Sequence, residues 1–318
     1  MALNTQPRTS LPVICLGGPT GCGKTDLAVK MAHKLGAEIV NADSRQVYRD
    51  FPIITAQPSR EEQGGIPHHL FGFLESHEKI SSGQWCDMAR EKVDEILIRG
   101  KIPLLVGGTG FYFQTLLHGI ANIPPIPLYI SQSLASRLRS EGPNALFVEL
   151  ESIDPGYAAR IHPNDRQRIA RALEVFEATG KTFSWWHENG MEPPLCRGPL
   201  IVVDEKLSAF EAGLLIRIDN MLAAGAVEEA RQAMEKCPER EAPAWNGIGC
   251  ADLRSFLENE ISLEESRSQW FRNTRAYAKR QLTWFRGGRQ AHFIAPNDLE
   301  NALKITKKFL VEFEKQAS

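Results

Sequence analysis

Gly18-Pro19-Thr20-Gly21-Cys22-Gly23-Lys24-Thr25 is the stretch from which the fold is read. A short apolar run, 11–16, precedes it, and Asp26-Leu27-Ala28-Val29-Lys30-Met31-Ala32 follows with a helical pattern. Glycine, four residues, then Gly-Lys-Thr between a strand and a helix is the spacing of a phosphate-cradling loop. Its glycines let the backbone turn tightly and leave N–H groups pointing inward. The helix behind it adds the positive end of its dipole. Lys24 is placed to reach a distal phosphate and Thr25 to ligand Mg²⁺. The loop alone does not say which phosphate compound is held, or whether a phosphoryl group moves.

Composition bounds what surrounds this loop. The chain has 318 residues, enough for one large domain or two smaller ones. Its 42% hydrophobic and 24% charged residues are those of a soluble globular protein. A net charge of −2 confines any nucleic-acid surface to a local patch. The six cysteines, Cys15, Cys22, Cys86, Cys196, Cys237 and Cys250, lack metal-ligand spacing and read as reduced thiols. Cys22 reads as a small residue that fits the loop. Residues 1–10 lack a hydrophobic region and are expected to fray. No apolar run is long enough to span a membrane. A cytoplasmic enzyme is expected, and nothing demands more than a monomer.

The expected architecture is α/β: a P-loop NTPase-like core with a central parallel sheet flanked by helices, plus a mainly helical insertion. Residues 11–125 form the first part of the core, 126–199 the insertion and 200–318 the second part, which is mostly helical. A second strand, 37–41, leads into Asp43-Ser44-Arg45-Gln46. Ligands of parallel α/β sheets bind beyond the strands' carboxyl ends, which puts Asp43 at the edge of the phosphate loop. A helix N-cap or a Mg²⁺ water ligand remains an alternative for Asp43. Residues 51–80 read as loop, and the pair His68-His69 as structural, since no acidic or Cys partner has metal spacing. Ser81 or Ser82 caps a helix over about 84–99. The strand 102–106 ends in Gly107-Gly108-Thr109-Gly110 without the acidic residue an ATPase or GTPase uses for Mg²⁺. Those small residues let something bulky approach the backbone. The proline-rich 123–127 marks a boundary. Helices follow, among them one over 164–179, and a strand at 200–203 returns to the sheet.

In the 164–179 helix, Ile169, Leu173 and Phe176 recur at helical spacing and face a core, while Arg168 and Arg171 share another face. The stretch 266–297 is more distinctive. It holds Arg267, Arg272, Arg275, Lys279, Arg280, Arg286 and Arg289 and no acidic residue. Phe271, Ala278, Leu282 and Phe285 form one stripe; Arg272, Arg275, Lys279 and Arg286 form another beside it. With Trp270, Tyr277 and Trp284 interleaved, this suits a phosphate backbone with aromatic packing or stacking.

Several motifs together resemble one family, the bacterial tRNA dimethylallyltransferases. They are Gly18-Pro19-Thr20-x-x-Gly23-Lys24-Thr25, Asp43-Ser44-Arg45-Gln46-Val47-Tyr48, Pro67-His68-His69-Leu70 and Leu105-Val106-Gly107-Gly108-Thr109-Gly110. Further along come His162-Pro163-Asn164-Asp165-x-Gln167-Arg168-x-x-Arg171-Ala172-Leu173-Glu174 and Thr274-Arg275-x-x-Ala278-Lys279-Arg280-Gln281-x-Thr283-Trp284. They run in the family's order over nearly the whole chain. The resemblance implies transfer of a dimethylallyl group from dimethylallyl diphosphate to the exocyclic amine of an adenosine beside the tRNA anticodon. It implies that the loop, Gly18, Pro19, Thr20, Gly21, Cys22, Gly23, Lys24 and Thr25, holds the donor's diphosphate and not ATP's. Thr25 would help place the cofactor, Mg²⁺. Asp43 would be the general base, Thr109 would sit near the reacting amine, and Arg217 would grip the diphosphate. Contacts to the tRNA anticodon stem-loop would come from Asp43, Ser44, Arg45 and Gln46, from Gln167, Arg168, Ile169, Ala170 and Arg171, and from Arg275, Lys279, Arg280, Gln281, Trp284 and Arg286.

The chain departs from the family pattern at Ile54-Thr55-Ala56-Gln57-Pro58, where Gly-Thr-Ala-Lys-Pro is usual. It also departs at Cys250-Ala251, where a Tyr and a basic residue are usual, at Gly213, where an Arg is usual, and around Ser131, which lacks an Arg often found there. The chain carries no Cys/His zinc module of the eukaryotic type. Three other readings are a prenyltransferase for free adenine nucleotides, which needs no basic helices, a small-molecule kinase, which needs the missing acid after Val106, and a non-catalytic RNA-binding protein with a vestigial loop, against which the intact Lys24-Thr25 and Asp43 argue.

Overall fold

The computed structural model describes residues 10–287 and 290–317. The segment 1–9 and Arg289 lie outside the described residues. The chain divides into two units, Met1–Leu117 with Leu195–Ser318, and His118–Pro194.

The first unit begins with strands β1 (Leu11–Pro12) and β2 (Ile14–Gly17), helix α1 (Lys24–Leu35), β3 (Ala37–Asn41) and β4 (His68–His69). Helix α2 (Ser82–Ile98), β5 (Ile102–Gly107) and α3 (Gly110–His118) follow. The smaller unit contains α4 (Leu128–Ser140), α5 (Gly142–Ile153), α6 (Pro155–Ala158), α7 (Arg166–Thr179) and α8 (Phe183–Asn189). The chain returns through β6 (Cys196–Arg197), β7 (Leu200–Val203), α9 (Leu207–Ala223) and α10 (Ala226–Lys236). It ends with α11 (Cys250–Leu257), α12 (Leu263–Gly287), β8 (Ala291–Ile294) and α13 (Leu299–Ala317).

Six strands make one parallel sheet in the order β4-β3-β5-β2-β7-β8. Register is set by apolar residues: Leu16 of β2 lies opposite Val106 of β5 and Ile201 of β7. A parallel sheet is covered on both faces, so its strands read as continuous apolar runs. On one face β2 and β5 pack against Trp85 and Val93 of α2, Phe113 of α3 and Phe285 of α12. On the other they meet Leu27 and Met31 of α1 and Ala302 of α13. Helices α9, α10 and α11 enclose a third core with Val47, Phe51 and Ile54. All six cysteines are buried and free. No described helix is long and apolar enough to cross a membrane.

Local signals place most of these elements. Helix α2 starts on Ser81, whose hydroxyl accepts from Gln84 N while Gln84 returns a bond to Ser81 N, a capping box. Helix α7 starts on Asp165, which accepts from Arg168 N, and stops at Gly180 with φ 67°. The loop reading of 51–80 misses β4, a two-residue strand beside β3. Its His69 supports the sheet edge: Nε2 lies 2.7 Å from Oε2 of Glu38, which Arg99 also grips at 2.7 Å. Glu38 is only 6% exposed, and the Arg99 hydrogen bond holds its carboxyl below the usual range.

The insertion was expected over 126–199, but the smaller unit starts at His118 and ends at Pro194. Its two ends pair with each other. Glu192 N donates to Ile120 O at 2.9 Å and Asn122 N to Gly190 O at 2.8 Å. The prolines at 124, 125 and 127 therefore fall inside the unit, past the paired stem.

Strand ends on the loop edge pack tightly. A Cβ on Gly107 would sit 2.0 Å from Ala42 O. Gly107→Ala is expected to lower the urea midpoint by an amount equivalent to about 1–3 kcal/mol, the usual cost of overpacking. An unchanged midpoint would show that the strand ends can part.

Candidate active site

The loop 18–25 leaves β2 and enters α1 through Gly21 (φ 84°) and Gly23 (φ 80°), backbone that side-chain-bearing residues rarely adopt. The first turn of α1 opens toward a cavity of about 430 Å³ lined by Gly21, Gly23, Lys24 and Thr25. Lys24 Nζ donates to Pro19 O at 3.0 Å, so the ammonium lies over its own loop. Cys22 is buried and packs among Leu27, Met31 and Ile14. The loop is thus assembled as its spacing predicts.

The strand after α1 supplies the next group. Asn41, fully buried at the end of β3, accepts from Asp43 N at 2.9 Å and donates to Leu70 O at 2.9 Å. It fixes the turn that presents Asp43. Oδ1 of Asp43 accepts from Arg45 N at 2.9 Å, an Asx turn that leaves Oδ2 toward Gly108. Thr109 N donates to Ala42 O at 3.2 Å. The Thr109 hydroxyl accepts from Ser44 N at 2.9 Å and donates to Ser44 Oγ at 3.2 Å. Ser44 and Thr109 are therefore hydrogen-bonded across two strand ends, and with Asp43, next to Ser44 in the chain, they form one cluster. Tyr277 lines a cavity with Asp43, and burial, with the Asp43 charge, pushes that phenol's pKa up.

Arg217 comes from α9. It is half-buried, and no hydrogen bond or ion pair engages it among the described residues. Burial pulls its pKa down, while Glu62, Cys22 and Asp43 act the other way. Arg217, Asp43, Thr20 and Thr55 line the first cavity and also a second one of about 220 Å³. The second has apolar walls from Ile54, Leu214, Ile218 and Trp270, with Arg45, Asn246, Thr274 and Arg280 around them. The two spaces meet at a carboxylate and an unpaired guanidinium.

The loop 51–57 forms a shared wall, and side chains hold it. Gln46 Nε2 donates to Thr55 O and Ala56 O, Gln57 Nε2 to Tyr48 O at 2.7 Å. Glu229 of α10 accepts from Ile53 N and Ile54 N at 2.7 and 2.8 Å. Gln57, one of the departures from the family pattern, is thereby part of the scaffold. Cys250, another, is buried in the α9–α11 core, whereas Gly213 is exposed with open space around it.

The small residues after β5 were expected to admit something bulky. They do, but it is the chain itself. A Cβ on Gly108 would lie 2.2 Å from Gln281 Nε2, and one on Gly110 2.0 Å from the Trp284 ring. Gln281 is 5% exposed, so its side chain faces the loop and not an outer RNA face. Trp284 is half-buried on Gly110, and Trp270 is buried in the α9–α11 core. The aromatic residues of α12 therefore pack; they do not form an exposed stacking platform.

The expected RNA contacts separate by exposure. On α12, Lys279 and Arg280 are exposed, Arg280 lying 5.7 Å from the Tyr277 ring centre. Arg275 pairs with Glu211 at 2.6 Å and Arg286 with Asp204 at 2.6 Å. In the smaller unit, Gln167, Arg168 and Arg171 are on the surface or partly so, the two arginines pairing with Asp165 and Glu174 at 3.4 Å. Ile169 is fully buried in that unit's core and Ala170 half-buried beside it, as the apolar spacing of α7 requires. Ile169 therefore presents no side chain to a ligand. Ser44 and Arg45 are half-buried, Arg45 on the wall of the second cavity.

Some site residues escape the sequence reading. His68, which reads with His69 as structural, lines the first cavity, with burial pulling its pKa down. Met221, Ile218 and Leu214 are spaced on one face of α9 and form the second cavity's wall. Their spacing looks like ordinary core spacing, and nothing local distinguishes the two. Among the described residues no three His, Cys, Asp or Glu side chains cluster to cage a metal. Mg²⁺ rarely uses such a cage; it keeps waters and takes phosphate oxygens with one or two protein ligands. The exposed Thr25 on the cavity wall fits that mode.

A model of the IPP transferase family matches residues 46–288, and one of isopentenyl transferases matches residues 11–71. This chain belongs to the IPP transferase family. A tRNA dimethylallyltransferase of Desulfovibrio desulfuricans is 54% identical over 298 residues, covering 94% of this chain and 92% of the relative. Among solved structures, a eukaryotic dimethylallyltransferase acting on tRNA superposes with a TM-score of 0.76 at 30% identity, covering 94% of this chain and 77% of that one. The full-length tRNA isopentenylpyrophosphate transferase of Bacillus halodurans gives 0.70 at 31% identity, covering 97% and 98%. The IPP transferase fold is thus the frame in which the two cavities lie.

Glu229 gives the wall of those cavities a pH dependence. Burial pushes its carboxyl up to about 7, against its two backbone N–H donors, from an ordinary 4.5. A carboxyl raised in the folded state stabilises below its unfolded pKa and loses that contribution as pH rises through the folded value. The stability difference between the native chain and Glu229→Gln is therefore expected to change between pH 4.5 and about 7 and to level off above. Parallel urea-midpoint curves across that range would remove Glu229 as the cause.

Proposed function

We propose that the chain transfers the dimethylallyl group of dimethylallyl diphosphate to the N6 amine of the adenosine on the 3′ side of a tRNA anticodon, releasing diphosphate. The observation that carries this reading is the pair of cavities joined at Asp43 and Arg217, one bounded by the loop 18–25 and the other by apolar and aromatic side chains. The relatives' activity supports the same chemistry.

In this reading the first cavity takes the donor. Loop N–H groups, Lys24 and the α1 dipole bind its diphosphate. Thr25 would hold Mg²⁺ there, and the ion would supply further neutralisation of the leaving group. The second cavity takes the adenine, entering past Arg280 and Thr274. An adenine amine is a weak nucleophile because its lone pair is delocalised into the ring. Its attack forms the N6–C1 bond as the C1–O bond to diphosphate breaks. Asp43 Oδ2, the oxygen not committed to Arg45 N, accepts the N6 proton. Arg217, without a counter-ion of its own, receives the charge growing on the diphosphate. Thr109, tied to Ser44, sets the distance between base and amine. Flipping the adenosine out of its stack costs roughly a few kcal/mol, which cationic contacts to the anticodon arm offset. Arg280, which lines that cavity, and Lys279 beside it in the chain are exposed cations of α12.

Labelled dimethylallyl diphosphate, Mg²⁺ and either an anticodon stem-loop or AMP test the reading. Label is expected in the RNA; label in AMP alone would assign the chain to free nucleotides. Asp43→Ala is expected to slow transfer about 10²–10⁴-fold with RNA still bound. Undiminished turnover would remove Asp43 as the base. Lys279→Glu with Arg280→Glu is expected to weaken RNA binding and to make log K fall less steeply with log salt, by about 0.7 for each phosphate no longer neutralised. An unaltered slope would make that face merely solvated.

A further inference from the structure

Gln281 carries two hydrogen bonds of opposite sense on one carboxamide. Its Oε1 accepts from Thr20 N in the loop 18–25 at 2.9 Å. Its Nε2 donates to Gly108 O, after β5, at 2.9 Å. The two partners lie 261 and 173 residues away in sequence. One is a donor and the other an acceptor, which also fixes the orientation of the carboxamide. A glutamate could accept but not donate, a lysine could donate but not accept, and a methionine could do neither. Space is cut to the same fit, since a Cβ on Gly108 would lie 2.2 Å from Nε2.

We propose that Gln281 is a positioning residue for the diphosphate loop, setting it against the turn that carries Thr109. By occupying Thr20 N–H, it fixes the start of the loop whose Gly21, Gly23, Lys24 and Thr25 line the first cavity. By holding Gly108 O, it fixes the residue next to Thr109. The distance between the leaving-group grip and the Asp43–Ser44–Thr109 cluster then depends on one side chain. That side chain belongs to α12, whose same turn presents Lys279 and Arg280 outward. The inference rests on the donor-site reading above, and it moves Gln281 from the RNA face to the donor site.

Gln281→Met keeps the volume and removes both bonds. Gln281→Glu keeps the acceptor for Thr20 N and removes only the donor, and it carries the test if Gln281→Met fails to fold. Inorganic diphosphate with Mg²⁺, titrated calorimetrically into the RNA-free protein, reads the loop without requiring turnover. Steady-state KM for dimethylallyl diphosphate and for the stem-loop, with Tm, complete the set. The diphosphate Kd and the donor KM are each expected to rise about tenfold, as a buried bond is lost. RNA KM is expected to stay at its native value. A raised RNA KM with native diphosphate binding would return Gln281 to the RNA face and overturn the proposal. Native values throughout, or a fall in Tm that moves every parameter together, would overturn it too. A native protein that binds no diphosphate would overturn both this inference and the donor-site reading.

Discussion

The reacting edge depends on how closely two strand ends approach each other. Gly107 at the end of β5 lies against Ala42, with no room for a Cβ between them. That contact lets Thr109 N reach Ala42 O and lets the Thr109 hydroxyl meet Ser44. A carboxylate from one strand and a hydroxyl from the next are then held by the sheet itself. Groups fixed in this way do not have to reorganise as charge moves, which is where most of their catalytic value lies. A parallel sheet gathers such strand ends on one side, so the phosphate loop opens onto the same edge.

Loops at that edge lack a strand ladder, yet their backbone polar groups still need partners. Amide and carboxyl side chains supply them. Asn41 holds the 43 turn, Gln46 and Gln57 hold 48–56, Glu229 holds 53–54, and Gln281 holds Thr20 and Gly108. Of these, Gln46 and Gln281 read from sequence as RNA contacts. Their role is to make irregular backbone rigid where cavities must keep their shape.

The architecture was legible wherever one chain segment carries its own explanation. Loop 18–25 declares its conformation through glycine spacing, β2 and β5 through unbroken apolar runs, and α2 and α7 through caps at Ser81 and Asp165. Short strands were less visible: β4 is His68-His69, and β8 has exposed residues at its centre, so neither offers a hydrophobic period. Of the cavity residues, Asp43 was legible by its place just beyond a strand end. Gln281 is held by partners more than a hundred residues distant, and the α9 wall shares its face with the core. Local pattern cannot separate such roles from packing or from a solvated surface.

Charge on α12 shows the same limit. Its sequence from 266 to 287 carries cations and no acid, which suggests a free polyanion surface. Folding brings acids from elsewhere: Asp219 and Glu211 of α9 to Arg267 and Arg275, and Asp204 after β7 to Arg286. Exposed pairs of this kind contribute little stability, at most about 1 kcal/mol each. Their larger effect is on where the field is positive. With the ends and one flank of the helix neutralised, Arg272, Lys279 and Arg280 are its exposed cations without an ion pair among the described residues, and of these Arg280 lines the second cavity. An anionic ligand drawn to that point meets the cavity mouth, whereas an unbroken cationic stripe would hold it anywhere along the helix. The acids of α9 therefore interrupt the cationic stripe, and their removal would change the field more than it would weaken the fold.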